Sequence, residues 1–97
     1  MKIDLTTKLT TLKGEPIKTD NGEIVTLTDV LTNSLLVDKP STQVKEMLKK
    51  FSLATKISNA KDVVEITAEE ATMIKELLPI AYKTLVVGQV WSLLDGQ

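Results

Sequence analysis

Along its first nine residues the chain alternates: Ile3, Leu5, Thr7 and Leu9 share one side, with Lys2, Asp4, Thr6 and Lys8 on the other. That period of two predicts a half-buried β-strand. Gly14 interrupts it, followed by Glu15 and Pro16. The next segment places Ile17 and Val25 on either side of Asp20-Asn21-Gly22, residue types that tolerate positive φ. It predicts a hairpin with a type I turn, Gly22 as its left-handed residue and Ile17 opposite Val25. Asp20 and Glu23 also offer oxygen ligands, but Ile24, Val25 and Leu27 stand where a calcium loop needs further donors. The segment therefore reads as a turn.

From residue 26 the apolar period lengthens to three and four. Thr26 with Asp29 marks a helix start, and Leu27, Val30, Leu31 and Leu35 share one face until Asp38-Lys39-Pro40 ends the pattern. Ser41 or Thr42 caps a second helix, whose predicted buried face is Val44, Met47, Leu48, Phe51, Ala54 and Ile57; Asn59 closes it. Lys45, Lys49 and Lys56 lie on its opposite face with Lys50 beside them. Val63 to Ile66 is a short apolar run, either a third strand or a buried connector. Thr67 and Glu70 form a capping box before Ala71, Ile74, Leu77, Leu78 and Ala81. Pro79 either kinks this helix or opens another. The last segment, Leu85 to Leu94, has seven Leu, Val or Trp in ten residues, with Gly96 as its predicted C-terminal cap.

These elements predict an α+β fold: an N-terminal β-hairpin, with a third short strand as an option, packed on three to four α-helices. Residues 1–97 form one domain, 1–26 the strand and hairpin region and 27–97 the helical region. No internal repeat, low-complexity tract or linker divides it.

Composition narrows the chemistry. There is no Cys and no His, and all twelve basic residues are Lys. Disulfides, thiolate or imidazole metal sites, catalytic triads and bidentate arginine clamps are all excluded. No spacing of the carboxylates suggests a glycosidase pair or a Mg²⁺ site. The chain is read as a non-enzyme without cofactor or metal. Its net charge is −1, too little to draw it to nucleic acid or an anionic membrane. The charge is uneven: residues 1–61 carry +3 and residues 62–97 carry −4, either by chance on a short chain or as an attraction between the halves, within a chain or between chains. No apolar stretch is long enough to span a bilayer, and the N-terminus lacks the apolar core of a signal peptide. A cytoplasmic location is expected.

A helix apolar on several faces needs cover on several faces. For the C-terminal helix, that cover is either the rest of the domain or a second copy of the chain. The second reading makes Val86, Val87, Val90, Trp91 and Leu94 the contact of a homo-oligomer, with Trp91 as anchor. Tyr82 or Trp91 can also stack on a base while Lys83 meets a phosphate, although no glycine-rich phosphate loop is present. The stripe of Lys45, Lys49 and Lys56 suits a solvated face better than a nucleic acid, having neither arginine nor interleaved aromatics.

Two stretches carry a family resemblance. One runs from Gly14-Glu15-Pro16-Ile17-Lys18 through the Asp-Asn-Gly turn to Val25-Thr26-Leu27-Thr28-Asp29-Val30-Leu31; the other is Ile66-Thr67-Ala68-Glu69-Glu70 with Leu85-Val86-Val87-Gly88-Gln89-Val90-Trp91-Ser92-Leu93-Leu94-Asp95-Gly96. Together they resemble small accessory proteins encoded by tailed phages and prophages. The resemblance covers most of the chain, loosest over the middle helix, and consists of caps and apolar positions that carry over no catalytic residue. It implies a bacterial cytoplasm and a host-manipulating, DNA-metabolism or virion-assembly setting. The expected function is that of an adaptor or assembly factor acting by self-association and protein binding. The alternative is an oligomeric protein that sequesters a nucleotide-like signal.

Overall fold

The computed structural model describes residues 1–95 and has the expected α+β fold. The predicted Gly96 cap lies outside the described residues. Strand β1 (Lys2–Asp4) pairs antiparallel with β2 (Val63–Glu65), setting Ile3 beside Val64 with both side chains in the core. The apolar run at 63–66 is thus a strand, and it is the partner of the N-terminal strand. Hydrogen bonds between Met1 and Ile66 (2.8 Å) and from Leu5 N–H to Asp62 O (2.7 Å) extend the pairing at both ends.

The alternation predicted over residues 3–9 survives in burial, since Ile3, Leu5 and Leu9 are all inside. The strand itself stops at Asp4. The Asp4 carboxylate accepts from the Thr6 hydroxyl (2.5 Å) and the Thr6 N–H (2.9 Å), bending the chain out of the sheet. Those two bonds, the hydroxyl's first, hold the Asp4 carboxyl below its ordinary range.

The hairpin at 17–25 forms as expected, with Gly22 at φ 84° and Val25 N–H donating to Ile17 O at 2.8 Å. It belongs to a larger device. Thr11-Leu12-Lys13-Gly14-Glu15 and Thr19-Asp20-Asn21-Gly22-Glu23 are two copies of a five-residue turn set eight residues apart. Each threonine N–H bonds to the glutamate carbonyl, each glycine N–H bonds to the threonine carbonyl, and each glycine has positive φ. In both loops the threonine hydroxyl also accepts from the glutamate N–H. The expectation of a chain without internal repeat is corrected accordingly; the two copies share only Thr, Gly and Glu, so composition hides them. Bridges Thr10–Pro16, Lys18–Ile24 and Lys8–Thr26 link the three short segments pairwise into a closed ribbon.

Among the described residues four helices follow the ribbon: α1 (Leu27–Leu35), α2 (Val44–Asn59), α3 (Ala68–Ala81) and α4 (Thr84–Leu94). Thr26 caps α1 through the Asp29 N–H, and Thr67 with Glu70 forms the reciprocal box on α3. Neither Ser41 nor Thr42 caps α2. Thr42 Oγ1 accepts instead from Lys39 N–H (2.8 Å) within the preceding turn, and α2 begins after Gln43. Pro79 lies inside α3, which continues to Ala81. The central helix is α1, packed against both α2 and α3, with Leu27, Val30, Leu31, Ser34 and Leu35 buried; α4 packs on α3. No helix among the described residues is long and apolar enough to cross a membrane.

Candidate protein-binding face

Helix α2 carries two stripes at helical spacing. Lys50, Leu53, Ala54 and Ile57 point inward; Val44, Met47, Leu48 and Phe51 point outward. The predicted single buried face is therefore corrected: only Ala54 and Ile57 of its six residues are in the core. The physical reason is the tilt of the apolar pattern around the helix, which moves from one stripe to the other between the N- and C-terminal halves. Tertiary packing uses the C-terminal half, leaving Val44, Leu48 and Phe51 at 69%, 62% and 65% exposure.

Lys50 is the exception on the inward stripe. It is 5% exposed, and its Nζ donates to Val37 O (2.5 Å) and to the Asp38 carboxylate (2.9 Å), just beyond the end of α1. The carbonyl end of a helix favours a cation, so this lysine fixes the α1–α2 corner rather than lining a solvated face.

Beside the outward stripe runs an open cleft between α2 and α3. Two adjoining hollows of about 520 and 380 Å³ share Lys49, Glu69 and Met73 in their walls. Leu53, Met73 and Leu77 line its apolar part. One rim belongs to α2, with Lys49 and Lys56 and a single acid, Glu46; the other belongs to α3, with Glu69, Glu70 and Glu76. Lys56 and Glu70 approach across the cleft at 3.8 Å. Lys49 and Lys56 of the sequence-predicted basic face thus lie opposite an acidic wall, which opposes their field toward phosphate, while Lys45 is exposed outside the cleft lining.

The C-terminal helix is placed differently from the predicted interface. Val86, Val90 and Leu94 are in the core, Val87 is half-buried, and Trp91 remains at the surface. Three of the five proposed contact residues are used up by the domain's own packing, because α4 packs on α3 and their common stripe joins the core. The Trp91 ring carries the Lys75 ammonium 5.3 Å from its centroid, and Lys75 also pairs with Asp95. Tyr82 is half-buried, its hydroxyl accepting from Asn33 Nδ2 at 3.1 Å. With Lys83, Val87 and Gly88 it lines a shallow cleft whose lining does not include Trp91. The two candidate stacking residues are not brought together there.

Sequence reasoning missed Gln89. Its side chain accepts from Thr10 N–H (3.0 Å) and donates to Thr10 O (2.8 Å), pinning α4 to the ribbon. No local signal marks a glutamine for such a task. The outward stripe of α2 was visible as periodicity, but its direction was not.

No family model matches the sequence, and neither curated proteins nor solved structures give a match.

Proposed function

We propose that the chain is a non-enzymatic accessory protein that works in the cytoplasm by binding another protein, in the phage or prophage setting its sequence resembles. The docking face is the outward stripe of α2 with the adjoining cleft. The observation that carries this reading is the exposure of Val44, Leu48 and Phe51 on three successive turns of one helix. Contiguous apolar surface of this kind is uncommon on a monomer without a partner, and aromatic residues and Met, here Phe51 and Met47, are enriched at interfaces. Lysine on one flank and glutamate on the other favour a partner with charges of both signs. A phosphate backbone or anionic bilayer would meet repulsion from Glu69, Glu70 and Glu76.

A photoreactive phenylalanine analogue at position 51, irradiated in living bacteria, tests the reading. A discrete protein adduct is expected, with none from the same analogue at Lys18 in the ribbon. An absence of adducts at 51, or adducts only with lipid or nucleic acid, would overturn it.

A further inference from the structure

We infer that the occupant of this face is a second copy of the same chain, seated so that α2 of each copy lies along α3 of the other. The inference rests on the protein-binding reading above and supplies its partner. Charge carries it. Lys49 lines the cleft on α2, with Lys45 exposed one turn before it and Glu46 the one acid of that wall, and Glu69 and Glu76 line it on α3 with Met73 between them. Among the described residues none of these charges is in an ion pair within its own chain, and on each helix one sign is in excess, two lysines against one glutamate on α2 and two glutamates on α3.

A twofold axis parallel to the two helices lays α2 of one copy over α3 of the other, so lysines meet glutamates twice. A twofold across the helices would set lysine on lysine and glutamate on glutamate. A partner of a single charge sign would satisfy one rim and oppose the other. A second copy carries both signs in the required arrangement. Leu48, the stripe residue that borders the cleft, then covers the α3 surface around Met73 and the exposed Ile80. The scale is also suitable: a standard interface takes about 800 Å² per partner, about one-eighth of the chain's 6442 Å². A domain of this length, with no cysteine, gains stability in this way when its own core is thin.

The test is light scattering coupled to size exclusion over a wide concentration series. The expected mass at high concentration is twice the 10.7 kDa of the chain, falling toward the monomer as salt is raised. Two charge-reversed chains follow, Lys45→Glu/Lys49→Glu and Glu69→Lys/Glu76→Lys. Each alone is expected to be a folded monomer by circular dichroism, and an equal mixture is expected to recover the dimer mass. If either reversed chain fails to fold, single-cysteine chains Lys49→Cys and Glu76→Cys replace them, and oxidation of their mixture should link unlike chains. A wild-type mass of one chain at every concentration would overturn the second copy, leaving the protein-binding reading to the adduct at position 51. A dimer that survives both reversals would overturn this face. Loss without recovery on mixing, or cysteines that do not link, would overturn the α2-on-α3 arrangement.

Discussion

Gln89 does for Thr10 what a neighbouring strand would do, satisfying the backbone N–H and C=O together with one side-chain amide. Half-buried backbone groups that lose their partner cost more than the bond itself contributed. Replacement by leucine, similar in size but without donor or acceptor, should therefore lower stability by about 1–3 kcal/mol, read as a drop in the urea midpoint. An unchanged midpoint would mean that water reaches Thr10 and replaces the amide. Lys50 shows the same logic with a charge. Its ammonium donates to a carbonyl and a carboxylate at the end of α1, so a long charged side chain occupies the core-facing stripe with two of its three donors bonded.

At the scale of elements, the ribbon depends on two glycines with nearly the same backbone geometry, φ 86° at Gly14 and φ 84° at Gly22. A Cβ added at either would meet no atom within 4 Å, so only the left-handed backbone opposes substitution. Alanine at each should cost about 1–2 kcal/mol, nearly equally at the two sites. Gly88, inside α4 and also with open space around its Cβ direction, has the opposite sign. Alanine there should stabilise by about 0.5–1 kcal/mol. Thermal melts of the three variants check the pattern, and a stabilised Gly14→Ala or Gly22→Ala chain would contradict the turn geometry. The matching loops were legible only in part. Asp-Asn-Gly announces a turn by its residue types, whereas Leu-Lys-Gly does not, and its equivalence emerges from hydrogen bonds shared by the threonines and glutamates.

At the scale of the whole molecule, the ordinary expectation that a large apolar side chain matters most for stability is reversed between two helices. Leu31 of α1 is fully buried, whereas Phe51 of α2 is mostly in solvent. Leu31→Ala should destabilise by about 2–5 kcal/mol. Phe51→Ser, at dilutions where the chain is a single copy, should change the folding free energy by no more than about 0.5 kcal/mol. Denaturant unfolding of both variants provides the check; a large loss from Phe51→Ser would place that ring in the core. The asymmetry of charge has a related origin. The basic first part of the chain contributes α2 and the acidic last part contributes α3, and their adjacency turns an uneven sequence into two facing rims.

The sequence by itself determined the local elements: the turn at Gly22, the threonine caps of α1 and α3 and the inward residues of α1. Each follows from interactions within a few residues, where the chain's own chemistry decides. The capping box of Thr67 and Glu70 is closed by its own segment whatever lies around it. Partnership between distant segments was decided only in the tertiary structure. Whether β1 would pair with the hairpin or with residues 63–65, which stripe of α2 would turn inward, and whether α4 would be central or peripheral all depend on competition among several apolar surfaces of similar size. Burial is non-directional and proportional to area, so periodicity marks a stripe without saying what covers it. On α2 the choice fell to Lys50, Leu53, Ala54 and Ile57, and that choice left Val44, Leu48 and Phe51 facing outward.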